Sequence, residues 1–272
     1  MRHFFPILLL ISGCLTVASG QTGGLADNVI ITYSKNKTSF STGGKGELII
    51  NVAPADARKF KSNGVVRYSD FGAKGDGKTD DIDAIAATHA FANREGLRVK
   101  ADNGATYYIG GKNRTAVIRT DTDFGTASFI IDDTEVENRN ANIFLVSSGQ
   151  RSFKPEGIAS LRKNQEKINV SLPATCIITV TNSKIKRYIR FGPNQNDGSA
   201  QTDIFIADRA GNVDMNAPII WDFDQITDIN ALPIDETTLT ITGGHFTTIA
   251  NRAESKYNYY GRGIAIRRSN VI

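Results

Sequence analysis

Cysteine and histidine are nearly missing from this sequence: of 272 residues, two are Cys (Cys14 and Cys176) and three are His. That scarcity excludes a disulfide framework, a Cys-rich metal centre and a cysteine–histidine nucleophile, and no metal ligand set is expected. Proline is also scarce, at seven residues. Lys and Arg outnumber Asp and Glu by 32 to 28 but never form a run. Nothing therefore tracks a phosphate backbone, and no nucleic-acid partner is expected. After the first twenty residues no apolar stretch is long enough to span a bilayer, so no transmembrane segment is expected once they are removed.

What is present points to a folded, strand-rich chain. Hydrophobic residues make up 40% and charged residues 22%, enough for a packed core. The 25 glycines suit short strands joined by turns. Residues 1–20 read as a secretory signal peptide. Arg2 and His3 precede an apolar stretch over residues 4–11, broken at Pro6, and small residues lead to Ala18-Ser19-Gly20. Two processing outcomes stay open: cleavage after Gly20, or lipidation of Cys14 within the lipobox-like Ile11-Ser12-Gly13-Cys14. Both imply export, to the periplasm, the extracellular space or the cell surface as a lipoprotein.

Residues 21–64 offer strand-like pieces at 29–33 and 47–52 between Ser/Thr/Gly/Lys-rich turns, and read as an N-terminal extension. A helix is expected from Asp80, as N-cap, to Gly96, as stop, with Asp83 near the positive end of its dipole. Ile82, Ile85, Ala86 and His89 share one face. Strands are then expected at 97–101, 106–109, 116–119, 128–131, 143–146, 176–180, 203–207, 219–223, 238–242 and 263–267, with one short helical piece at 156–164. Cys176, beside Ile177 and Ile178, reads as a small buried hydrophobe. Many short strands suggest a sandwich, a barrel or a solenoid, and periodicity does not choose among them.

A motif narrows that choice. The segment Asp70-Phe71-Gly72-Ala73-Lys74-Gly75-Asp76-Gly77-Lys78-Thr79-Asp80-Asp81, with Ala84-Ile85 after it, resembles the opening motif of the pectate-lyase superfamily in its rhamnogalacturonase, polygalacturonase and tailspike branches. Asn103-Gly104-Ala105-Thr106-Tyr107-Tyr108-Ile109 is similar to the strand that follows in that family, with Asn103 and Ala105 departing from its commonest form. The resemblance implies an all-β fold, a right-handed parallel β-helix over residues 65–272 with one N-terminal capping helix. It also implies a polysaccharide partner and glycoside hydrolase or lyase activity on pectin-like or other acidic polysaccharide. No cofactor is implied, except calcium if the reaction were an elimination. In the motif itself, Gly72, Gly75 and Gly77 permit tight turns while Asp70, Asp76, Asp80 and Asp81 cap turns and the helix, an architectural role.

The polygalacturonase motifs N-T-D, G-H-G and R-I-K are absent, and Asp132-Asp133 lies too early to replace them, so no catalytic residue carries over. The residues themselves offer candidates. In Trp221-Asp222-Phe223-Asp224 a strand would turn both carboxylates to one face, roughly 6–7 Å apart at about 3.3 Å per residue. That is either a catalytic pair or two solvated residues beside a buried Trp. His245, after Gly243-Gly244, is a candidate acid or base or simply a turn residue. Arg262 and Arg267 are candidates for binding carboxylated sugars, and Tyr259 and Tyr260 for stacking on them, against solvated or packing roles. Because the sequence stops in a strand, turn and strand pattern, the chain is expected to be incomplete, or to meet a partner or a second copy at that open end. A non-catalytic glycan-binding or structural module is the alternative function, as is a fragment lacking catalytic coils.

Overall fold

The structure is a computed structural model and describes residues 29–34, 36–136, 138, 141–250 and 261–272. Residues 1–20, expected from the sequence to be a signal peptide, with Cys14 among them, and Tyr259 and Tyr260 lie outside those residues.

Strands β1 (Val29–Thr32), β2 (Ser39–Thr42) and β3 (Leu48–Asn51) form a first sheet. Its central β3 runs parallel to β1 and antiparallel to β2. Helix α1 (Pro54–Asn63) begins on a proline, whose missing N–H costs nothing in a first turn. It ends at Gly64, whose left-handed backbone returns its N–H to the Phe60 and Lys61 carbonyls. After β4 (Val65–Arg67) and β5 (Asp76–Asp80), helix α2 (Ile82–Glu95) buries Ile82, Ile85, Ala86 and His89 and stops at left-handed Gly96. There follow β6 (Arg98–Lys100), β7 (Thr106–Ile109), β8 (Ala116–Ile118), β9 (Thr122–Asp123), β10 (Ser128–Asp132) and β11 (Phe144–Ser147). A segment with three longer strands comes next, β12 (Cys176–Arg187), β13 (Ser199–Ala207) and β14 (Asp228–Pro233). The described chain ends with β15 (Ile241–Thr242), β16 (His245–Ile249) and β17 (Ile264–Arg267).

These strands form five separate sheets. Three are wholly parallel, in the orders β15-β9-β6-β4, β16-β10-β7-β5 and β17-β11-β8. Successive passes of the chain each add a strand to these sheets, with α2 standing where a first strand of the third would be. Inside them Tyr107, Phe129 and Phe246 stack across neighbouring strands, Phe129 and Phe246 at 4.8 Å and 11°. β12–β14 make an antiparallel sheet, order β13-β12-β14, whose inner face (Cys176, Ile178, Val180, Phe205, Ala231) builds a second hydrophobic cluster with Phe223 and Leu161. That cluster shares no residue with the main one.

The expectation of an all-β chain forming a single right-handed parallel β-helix is therefore corrected to a mixed α/β architecture of several small sheets, and with it the pectin-lyase-type fold assignment. Two α-helices stand where one was expected, two of the five sheets contain antiparallel pairs, and the antiparallel segment carries its own core. The physical reason lies in strand alternation. Period-two burial marks a strand but not the direction of its neighbour, and the shared inner face of β12–β14 packs on Leu161, Ile168 and Phe223 of the same segment. Two local expectations also change. Residues 156–164 hold no helix and pair through Leu161 with Phe223 in an isolated antiparallel bridge, and 219–223 contributes only that bridge.

Candidate functional site

The Asp70–Asp81 motif is built as scaffold. Gly72, Gly75 and Gly77 all take positive φ, at 91°, 60° and 73°, a backbone that favours glycine. Asp70 accepts the Arg67 N–H, and Asp76 accepts the N–H groups of Thr79 and Lys78 and the Thr79 hydroxyl. Those bonds hold the Asp76 carboxyl down to about 2. Asp81, not Asp80, occupies the N-cap position of α2, and its side chain turns back to accept the N–H groups of Lys74 and Gly75. Burial pushes the Asp81 carboxyl up. Asp83 accepts from Lys112 and Arg114 at 2.9 Å each. Its burial opposes ionisation, but these two cations hold its pKa below the usual range.

The residues singled out in the sequence are not brought together. Asp222 and Asp224 are exposed on the antiparallel segment, flanking buried Phe223. Asp222 accepts the Lys163 N–H, and Asp224 pairs with Arg162. His245 opens β16 on the second parallel sheet and is exposed. Arg262 is an internal brace: it donates to the Asp133 carboxylate and to the Asp132 and Gly110 carbonyls, tying together the ends of β10 and β7. Arg267 is exposed at the end of β17. Cys176 is buried and free, and burial raises its thiol pKa.

Two polar surfaces emerge that the sequence did not announce. On the second parallel sheet, Tyr108 donates to Asp132 at 2.8 Å. The Thr134 hydroxyl, Thr134 N–H and Tyr108 bonds keep the Asp132 carboxyl low. Beyond the ends of those strands lies a cleft of about 300 Å³ lined by Lys112, Asn113, Glu135 and Asn138.

The larger surface is a groove of about 640 Å³ across the outside of the β15-β9-β6-β4 sheet. The register of that sheet places Arg67 beside Lys100, Lys100 beside Asp123 and Asp123 beside Thr242. Two residues earlier on the strands, and so on the same face, come Arg98, Asp121 and Thr240. The first row crosses four strands, roughly 14 Å at about 4.8 Å per strand spacing, and the second covers three, with Val65 at its β4 position. Lys100 lies 3.1 Å from Asp123 and holds its carboxyl below the usual range. Asp123 also accepts from the Gly125 N–H and Thr242 hydroxyl, and Asp121 from the Thr240 N–H. The cations Arg67, Arg98 and Lys100 gather on β4 and β6, while the carboxylates and threonines occupy β9 and β15.

Among the described residues, no group of three or more His, Cys, Asp or Glu side chains could hold a metal ion, and no helix is long and apolar enough to cross a membrane. The chain matches no known family model and no curated protein at a significant level.

Proposed function

We propose that this protein is an exported carbohydrate-binding protein that seats a chain of an acidic polysaccharide in the groove of the β15-β9-β6-β4 sheet. The carrying observation is the pair of polar rows on this sheet, one across four strands and one across three. Hydroxyl, carboxylate and cationic groups repeat at strand spacing, over a length that accommodates a few sugar rings. Arg98 and Lys100 give one end of the groove the charge a uronate carboxylate would meet. Asp121, Asp123, Thr240 and Thr242 give the other end acceptors and donors for sugar hydroxyls. The carbohydrate class rests on the resemblance of residues 70–81, and export on the leader read in residues 1–20.

A second reading is hydrolysis, favoured by one feature. Asp121 and Asp123 share a face two residues apart, roughly 6–7 Å, at the lower edge of the separation used by inverting glycosidases. Against it, Lys100 keeps Asp123 ionised, and a proton donor is needed beside it. Asp81, the carboxyl that burial raises, points into the glycine turn instead. Binding is the better-supported function.

The test is a polysaccharide-binding screen of the exported chain, comparing uronic-acid polymers with neutral ones. It would also read reducing ends and the ultraviolet absorbance of unsaturated products, with and without calcium. Preferential uronate binding, weakened about tenfold by Arg98→Ala or Lys100→Ala through loss of one charge-assisted bond, supports the proposal. Binding unchanged in both variants sinks it. Reducing ends that vanish in Asp121→Asn or Asp123→Asn would establish the second reading.

A further inference from the structure

The antiparallel segment carries a feature that the groove does not use. Over residues 151–233 the sequence is nearly balanced, with ten Lys and Arg against nine Asp and Glu. Over the end of β12 and its connection to β13, residues 183–198, the balance is four to one: Lys184, Lys186, Arg187 and Arg190 against Asp197. The tip also exposes large apolar side chains. Phe191 is 88% exposed and Tyr188 75%, with Ile189 and Ile185 beside them also exposed. A left-handed backbone at Tyr188, φ 53°, and a register break between Asn182 and Lys186 set this tip off from the regular ladder.

The base of the hairpin is fixed and its end is left to solvent. Arg187 donates to the Gln201 side chain and covers the Trp221 ring at 4.4 Å. Among the described residues Lys184, Lys186 and Arg190 form no ion pair. One cation thus anchors the hairpin to its sheet, and three remain around an apolar end.

We propose that this hairpin docks on an anionic lipid bilayer, with the Phe191 and Tyr188 rings in the headgroup region and Lys184, Lys186 and Arg190 against lipid phosphates. Charge complementarity selects an anionic partner, and shape selects a lipid surface over an acidic glycan. Sugar-stacking aromatics lie flat in a groove, whereas this tip projects and mixes aliphatic Ile185 and Ile189 with its rings. Apolar side chains ringed by cations suit a plane with hydrocarbon below and phosphate above, where long cationic side chains reach upward to the headgroups.

The experiment is vesicle co-sedimentation of the exported chain at low ionic strength, using phosphatidylglycerol–phosphatidylcholine mixtures and pure phosphatidylcholine. The expected result is partition to the mixed vesicles alone, reversed by salt. It should fall at least about tenfold in Phe191→Ser/Tyr188→Ser and in Lys184→Glu/Lys186→Glu, since apolar insertion and charge both contribute. These positions are exposed, and circular dichroism confirms that the variants are folded. Arg98→Ala leaves partition unchanged, which separates this proposal from the groove. Absence of partition, or partition indifferent to the hairpin changes, overturns it. So does polysaccharide binding that is lost in the hairpin variants when no vesicles are bound.

Discussion

The Arg262 guanidinium lies 2.7 Å from the Asp133 carboxylate, with only 1% and 3% of the two side chains exposed. Arg262 also donates to the Gly110 and Asp132 carbonyls, so one side chain from just before β17 braces the turns that end two earlier strands. Removing one member of a buried pair leaves the other charge desolvated, which costs about 3–5 kcal/mol. Arg262→Met should lower unfolding free energy by that amount in chemical denaturation. Arg262→Lys should lose less: it keeps the charge but cannot span a carboxylate and two carbonyls as a planar fork does. Equal stability of Arg262→Met and the parent would remove the bracing role.

A second expectation concerns acid. His89 is wholly buried, shares a hydrogen bond with the Tyr68 hydroxyl at 2.9 Å, and is pushed down by burial to about 3 from an ordinary 6.5. The unfolded chain takes its proton near 6.5 and the folded chain does so only near 3. Stability is therefore full above about pH 6.5 and falls as pH drops through the interval between the two values. The fall amounts to something on the order of 4 kcal/mol across that interval. Urea denaturation at pH 7, 5.5 and 4.5 measures the slope before the carboxylates titrate, and His89→Gln should flatten it. A variant that keeps the parent slope would assign the effect elsewhere.

How much of this was legible in the sequence depends on the distance between interacting residues. The helix ending at Gly96 and the glycine turns of residues 70–81 are local, and the pattern of Ile82, Ile85 and His89 was enough to find the buried face. Even there the N-cap position falls one residue later, at Asp81, whose carboxylate turns to the Lys74 and Gly75 N–H groups while Asp80 accepts the Ile82 N–H. The groove is a different case. Asp121 bonds to a residue 119 positions away, at Thr240, and the two-residue strand β9 is too short for alternation to show. Arg98 and Lys100 did alternate visibly with Leu97 and Val99, which was a usable clue to an outward cationic row. β14 and α1 were missed. α1 carries Pro54 at its start and Gly64 at its stop, signals that a reading of residues 21–64 as short strands and turns does not weigh.

A third expectation follows from the two separate hydrophobic clusters. Gly211, at φ 81°, sits where an added Cβ would lie 2.3 Å from the Ile168 carbonyl oxygen and 2.7 Å from that of Val170. Gly211→Ala must therefore move backbone as well as accept a strained φ, at a combined cost of roughly 2–4 kcal/mol. By contrast Gly72→Ala, at φ 91° with nothing within 4 Å, costs only the backbone strain of about 1–2 kcal/mol.

The location of that loss is as informative as its size. Ile168 belongs to the cluster under β12–β14, which shares no residue with the main core. Its links to the parallel sheets include the Ser148–Asp235 bond and the contacts of Asp235 with Arg268 and Ser269. Local opening draws on the contacts of the unit that opens. Hydrogen exchange of Gly211→Ala should thus speed up at the amides of β12, β13 and β14 while those of β7 and β10 keep their parent rates. The hairpin proposed to meet lipid would lose its base, so vesicle partition should weaken in this variant as polysaccharide binding in the groove persists. Uniform acceleration across β7, β10 and β12 would instead make the two clusters one cooperative unit, and the segment from β12 to β14 could not then be altered without disturbing the groove.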